Sequence, residues 1–151
     1  MIRLIYVSKA LSPLPLDLKD ILRVSRHNNE RLEMTGALCF IEGVYFQYLE
    51  GETVQLQDLY KRITHDDRHQ EPRLLERSRI TERLFQNWSM ALVTWNAQTQ
   101  RLFETVNGPG PHDLYTLQPE KALATFESMA RSSNWQQVDQ SGESGHDRHE
   151  A

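Results

Sequence analysis

The hydrophobic pattern changes period several times within the first 95 residues of the chain. Short runs rich in β-branched and aromatic residues are typical of strands, and they occur at residues 1–8, 35–41, 44–50, 73–80 and 88–95. Two stretches, residues 14–25 and 53–66, instead place apolar residues every three to four positions, which predicts amphipathic helices. Glu42 and Gly43 separate the second and third strands and predict a tight hairpin turn.

The order of these elements, βαββαββ, predicts the fold class. Its opening βαβ unit has a right-handed crossover, which places both helices on one face of the sheet. We therefore expect residues 1–95 to form a ferredoxin-like α+β domain. Beyond this domain, residues 101–106 are compatible with a short helix, a loop rich in Gly and Pro follows, and another helix starts at Pro119.

The last third of the chain divides into two parts. Residues 96–131 are predicted to be a C-terminal helical extension. The apolar stripe of its last helix must be covered, either by the open face of the sheet or by another subunit. From residue 132 to residue 151 the composition is dominated by Ser, Gln, Gly, Asp, Glu and His, which predicts a disordered tail.

Composition narrows the class of protein. A net charge of −4 argues against a nucleic-acid-binding protein. No apolar stretch approaches about 18 residues and the start lacks a signal-peptide pattern, so we expect a cytoplasmic protein without membrane association. The single cysteine, Cys39, excludes an internal disulfide. His65, Asp66 and His69 are residue types that bind metals. They are predicted to lie in a loop with no rigid helix or strand beneath them, so we expect a solvated loop rather than a metal site.

Tyr6 and Gln47 each interrupt a strand that is otherwise built for burial. Alternation along the strands places Tyr6 on the face of Leu4, and Gln47 on the face of Leu49. An unpaired buried hydroxyl or amide costs about 1–3 kcal/mol, so both groups need partners. A ligand shared by the two would make them a site. A tyrosine bonded to the backbone and a satisfied structural amide are the alternatives.

Further candidates lie at the ends of the two predicted helices. Asn28 and Asn29 end the first helix, and taken alone they are a helix stop. Ile21 and Ile63 could face each other across the gap between the helices, and alone they are core residues. A flat ring held between two isoleucines, above a sheet with a tyrosine and a glutamine, would fit a mostly apolar site with few polar groups.

Three segments of the chain resemble a known family. The first is the hairpin, which includes Thr35-Gly36-Ala37-Leu38 and Phe46-Gln47-Tyr48-Leu49-Glu50-Gly51. The second is the run Asp66-Asp67-Arg68-His69, and the third is the run Phe85-Gln86-Asn87-Trp88-Ser89-Met90. Over residues 1–95 the chain closely resembles the BLUF (blue light using flavin) photosensor domains, and the hairpin is the most specific part of the match. The final third is similar to the C-terminal extension of short, single-domain members.

The resemblance implies roles for individual residues. Tyr6 would be the photochemical electron and proton donor, and Gln47 the amide that bridges it to the flavin N5 and C4=O. Trp88 and Met90 would tune the site, since they compete for the place beside the glutamine. The remaining residues implied in cofactor binding are Ile21, Asn28, Asn29, Arg62, Ile63, Asp66, Arg68 and His69.

The resemblance also implies a function. The chain would be a blue-light photoreceptor that binds FAD, with FMN possible, and that signals through its C-terminal helices to a protein partner or as a homo-oligomer. We expect no enzyme activity, because the roughly 55 residues after the sensor core are too few for a cyclase or phosphodiesterase module. The rivals are a small ferredoxin-like hydrolase of acylphosphatase type and a photochemically silent flavin-binding or interaction module.

Overall fold

The structure is a computed structural model that describes residues 1–10, 27, 33–65, 69–86, 89–132 and 135–137. Its strands are β1 Ile2–Ala10, β2 Thr35–Ile41, β3 Val44–Gly51, β4 His69–Arg79, β5 Ala91–Val93 and β6 Trp135–Gln137. Its helices are α1 Thr53–Ile63, α2 Ala97–Asn107 and α3 Pro119–Ala130, with a short 3-10 helix at Leu114–Thr116. Apart from residue 27, which is helical, the first predicted helix lies outside the described residues.

The six strands form one sheet in the order β4-β1-β3-β2-β5-β6. β3 is antiparallel to both β1 and β2, so β1 and β2 run parallel to each other with β3 between them. β4 is antiparallel to β1 on the outer side, and β5 is parallel to β2. The first four strands therefore have the ferredoxin-like order, and the predicted α+β fold is confirmed. β5 and β6 extend the sheet beyond β2.

The hairpin between β2 and β3 sets the register of the central strands. Glu42 and Gly43 have φ angles of 49° and 85°, and a type I′ two-residue hairpin turn requires a positive φ at both of these positions. Gly36, near the start of β2, lies so close to β3 that an added Cβ would overlap the carbonyl oxygen of Tyr48. The turn at one end and the glycine at the other thus support a single pairing of the two strands.

Each face of the sheet carries its own hydrophobic cluster. On the first face, Leu4, Tyr6 and Leu49 pack with Leu56 and Leu59 of α1. On the second face, the cluster joins the sheet to the C-terminal extension, and it includes Ile5, Val7, Phe46, Tyr48, Phe103 of α2, and Phe126 and Met129 of α3. The sequence left two possible partners for the apolar stripe of the last helix, the open face of the sheet or another subunit. In the structure, α3 packs against the sheet.

Several predicted boundaries are wrong. β4 begins at His69 rather than residue 73, because β1 continues to Ala10 and pairs with it there. β5 comprises only Ala91–Val93 rather than residues 88–95. It is followed closely by α2, which begins at residue 97 because the Asn96 side chain accepts hydrogen bonds from two backbone N–H groups of the first turn. α1 ends at Ile63, three residues before its predicted end.

Part of the predicted disordered tail is also a strand. β6 pairs antiparallel with β5, and Gln136 lies opposite Leu92. Its polar composition hid it from sequence analysis, since the strand forms by using the backbone N–H and C=O groups on the free edge of β5. Residues 138–151 lie outside the described part of the chain.

We expect Gly36→Ala to lower the free energy of unfolding by about 2–3 kcal/mol, because the new methyl group meets the rigid β3 backbone. Gly43→Asn is the control. Gly43 has open space around it and a positive φ that Asn tolerates, so the loss there stays below about 1 kcal/mol. Urea unfolding measures both variants, and equal stabilities would contradict the close approach at Gly36.

Candidate functional site

Tyr6 and Gln47 lie opposite each other in the pairing of β1 with β3. Directly opposed residues of an antiparallel pair point to the same face, so their side chains can meet. The Tyr6 hydroxyl donates a hydrogen bond to Oε1 of Gln47. The two residues are 0% and 1% exposed, so the bond forms in a site shielded from solvent.

Met90 contacts the other end of the Gln47 amide. Nε2 of Gln47 donates a weak hydrogen bond to Sδ of Met90 at 3.8 Å. Met90 is fully buried and lies immediately before β5. The two bonds use one of the two N–H groups and one of the two lone pairs of the amide, so Gln47 has the capacity to contact a ligand as well.

The surroundings of this pair are largely apolar. The Tyr60 ring of α1 meets the Tyr6 ring edge-on, with ring centroids 5.2 Å apart. Ile63, at the end of the same helix, packs half-buried against the cluster that contains Tyr6. Burial raises the pKa of the Tyr60 phenol and so keeps it neutral. A phenol and an amide in apolar surroundings suit an uncharged aromatic ring with a polar edge, as in a flavin.

The other predicted site residues are placed only in part. Arg62 is exposed on α1, and His69 begins β4 opposite Ala10. Ile21, Asn28, Asn29, Asp66, Arg68 and Trp88 lie outside the described residues. The cofactor-binding roles implied for these residues, and the tuning role implied for Trp88, stay predictions.

Glu50 is a residue of this region that sequence analysis missed. It lies on β3 three residues after Gln47, and its carboxylate is completely buried. The carboxylate accepts hydrogen bonds of 2.7 Å from the backbone N–H groups of Leu84 and Phe85 and from the hydroxyl of Thr35. Glu50 thereby attaches β3 to the segment that leads from β4 to Met90. The sequence does contain a sign of this role, because Glu50 is an ionisable residue at the end of a largely apolar strand.

Tyr48 lies near this carboxylate and near an ion pair that joins β1 to β4. Arg3 forms a 2.8 Å salt bridge with Glu76 of β4, and both Arg3 and Glu50 are close enough to act electrostatically on the Tyr48 phenol. Burial, and then the charge of Glu50, raise the pKa of the Tyr48 phenol far above its usual range, so the hydroxyl stays protonated. Tyr48 lies on the face of the sheet opposite to Tyr6.

Comparison with known proteins identifies the domain. The family model described as "Sensors of blue-light using FAD" matches residues 1–91. The chain belongs to the BLUF family. It is therefore a flavin-binding sensor of blue light, and the resemblance found in the sequence is confirmed. The family description names FAD as the cofactor of BLUF domains.

Relatives of this BLUF domain differ greatly in length. The photoactivated adenylate cyclase subunit beta of Euglena longa is 33% identical over 93 residues, which are 60% of this chain and 11% of that protein. The chain thus spans about a tenth of the length of the curated relatives it matches. The structure titled "BlsA photo-activated state" has a TM-score of 0.79 at 27% identity and covers 88% of this chain and 96% of its own.

A second similar structure is "BlrB - a BLUF protein, dark state structure". Its TM-score is 0.71 at 28% identity, and the match covers 85% of this chain and 94% of that one.

Within the described residues of this BLUF domain, no helix combines the length and apolar character needed to cross a bilayer. The same part of the chain contains no group of three His, Cys, Asp or Glu side chains arranged to hold a metal ion.

We expect Glu50→Gln to lower the free energy of unfolding by about 2 kcal/mol, because the neutral amide has a single oxygen and leaves one of the two backbone N–H donors facing an NH2 group. Glu82→Gln makes the same chemical change at an exposed position nearby and should cost less than about 0.5 kcal/mol. Chemical denaturation of both variants tests this, and a Glu50→Gln protein as stable as the Glu82→Gln protein would contradict it.

Proposed function

We propose that this BLUF domain detects blue light through Tyr6 and Gln47, with Tyr6 as electron and proton donor and Gln47 as the group whose hydrogen bonds record the event. The single observation that carries the proposal is the buried hydrogen bond from the Tyr6 hydroxyl to Gln47 Oε1. A phenol and an amide that are already bonded, with solvent excluded, need no large rearrangement before a proton moves between them.

A bound flavin excited by blue light is a strong one-electron oxidant, and this is the chemistry that it supplies. Tyr6 would lose one electron to the excited flavin and its hydroxyl proton to the Gln47 amide, which can pass a proton on toward the flavin because it both donates and accepts hydrogen bonds. Both the electron and the proton then return to Tyr6, so no net oxidation remains. Gln47 is left rotated or as its tautomer, with donor and acceptor ends exchanged relative to Tyr6 and Met90.

The output of this cycle is a shift between two packings of the protein rather than turnover of a substrate. Met90 supports this part of the proposal, because it contacts Gln47 Nε2 and leads directly into β5. We assign the signal to the C-terminal helices and, from there, to a protein partner or a second copy of the chain. The activity is that of a non-enzymatic sensor.

The remaining cofactor contacts in the proposal follow the family resemblance. Ile63 lies half-buried beside the Tyr6 cluster, which supports its role on one side of the flavin ring with Ile21 on the other. Asn28 and Asn29 would hold the polar edge of the ring. The C2=O side of the ring would be contacted by Arg62 or Arg68. The ribityl chain and the phosphate would lie near Asp66 and His69. Trp88 would share the tuning role with Met90.

An illuminated-minus-dark absorption spectrum of the purified protein tests the function. The proposal expects a yellow protein whose flavin bands shift reversibly to longer wavelength under blue light. A yellow protein without a shift would favour the silent flavin-binding module. A colourless protein that refuses added FAD and FMN would favour a different function, such as the small hydrolase.

Tyr6→Phe should bind flavin and lose the red-shifted state, because the phenol hydroxyl is the donor of both electron and proton. The same absorption measurement checks this outcome. Tyr60→Phe is the matched control, since it removes a hydroxyl from the ring next to Tyr6 and should keep the shift. A normal photocycle in Tyr6→Phe would refute the donor assignment.

Gln47→Leu should bind flavin and show no light-induced shift, because leucine keeps the volume of the side chain and removes both ends of the amide. Gln57→Leu, at an exposed position of α1, makes the same change away from the site and should behave like the unmodified protein. A red shift of unchanged size in Gln47→Leu would remove this residue from the mechanism.

A further inference from the structure

The two residues that flank Gln47 on β3 point to the opposite face of the sheet. Side chains alternate along a strand, so Gln47 faces the site while Phe46 and Tyr48 face the C-terminal helices. All three residues are at most 2% exposed. Any displacement of the β3 backbone at Gln47 must therefore move two buried aromatic rings on the other face.

Both of these rings contact the same residue, Phe126 of α3. The centroid of the Phe126 ring lies 4.4 Å from that of Phe46 and 5.5 Å from that of Tyr48. Phe126 is 0% exposed and sits near the middle of α3, which spans Pro119–Ala130. Protein interiors are close-packed, so a ring held in this way transmits a shift of its neighbours rather than absorbing it.

Tyr48 is prevented from moving away from Phe126. Tyr48 is 2% exposed, and its ring packs edge-on against Phe85, with centroids 5.3 Å apart. In a close-packed interior this neighbour confines the Tyr48 ring, so the ring shifts with the strand. On the helix side, Thr125 accepts a 3.0 Å hydrogen bond from Asn107 Nδ2, which ties α3 to the end of α2.

We propose that Phe126 is the positioning residue through which β3 reports the state of Gln47 to the C-terminal helices. This inference rests on the proposed function and names the route of its signal. The route runs through the thickness of the sheet, from Gln47 by way of Phe46 and Tyr48 into α3. It differs from the path along β5, which starts at Met90 and enters the extension at the first turn of α2.

The test compares the full flavin-loaded chain with its Phe126→Leu variant in the dark and under blue light. Absorption reports the red shift, and hydrogen–deuterium exchange of the peptides covering α3 reports the helix. We expect the unmodified protein to show a light-minus-dark difference in α3. Phe126→Leu should keep the red shift and lose at least half of that difference, because leucine removes the ring that Phe46 and Tyr48 contact.

Phe103→Leu is the matched control. Phe103 is a buried phenylalanine of α2 in the same hydrophobic cluster, and its ring packs on Trp95 and His112. It should keep both the red shift and the α3 difference. Phe46→Leu breaks the proposed contact from the strand side and should reproduce the loss, which covers the case in which Phe126→Leu fails to fold.

The outcomes separate the inference from the function on which it rests. An unmodified protein without a red shift would overturn the proposed function, and the inference with it. A red shift without any response in α3, or an unchanged α3 response in Phe126→Leu, would overturn the inference alone. Equal losses in Phe103→Leu and Phe126→Leu would overturn it too, since the effect would then belong to packing in general.

Discussion

The hydrogen bond between Tyr6 and Gln47 depends on the register of β1 and β3, and the rest of the site depends on that bond. A slip of one residue in β3 would turn Gln47 to the opposite face and bring Phe46 or Tyr48 into its place. The hairpin turn at Glu42 and Gly43 and the close approach of Gly36 to β3 both oppose such a slip. Features far from the site thus determine its chemistry.

The same strand serves both faces of the sheet. Its site-facing side carries Gln47, and its other side carries the aromatic contacts to α3 and the polar network of Glu50. Buried charged groups are costly without partners, and here the Glu50 carboxylate is bonded by two backbone N–H groups and a hydroxyl. This makes the segment before Met90 a fixed support against which a change at Gln47 can act.

The C-terminal helices share a hydrophobic cluster with the second face of the sheet and are therefore an integral part of the fold. The match to the photo-activated BlsA structure covers 88% of the chain, about 133 of its 151 residues, whereas the family model covers residues 1–91. The structural match therefore extends well beyond the part of the chain that the family model covers. The larger curated relatives share only the part that matches about 93 residues.

The sequence alone determined the local features of this protein. Alternation assigned Tyr6 and Gln47 to buried faces, and the spacing in α1 and α3 placed their apolar stripes, because period and turn chemistry are properties of neighbouring residues. The hairpin motif in the sequence also pointed to the BLUF family. Only the tertiary structure decided that Gln47 contacts Met90, that Glu50 binds the Leu84–Phe85 backbone, and that Phe126 lies behind Gln47. These contacts, like the polar strand β6, depend on pairing and packing between distant segments, which no local pattern encodes.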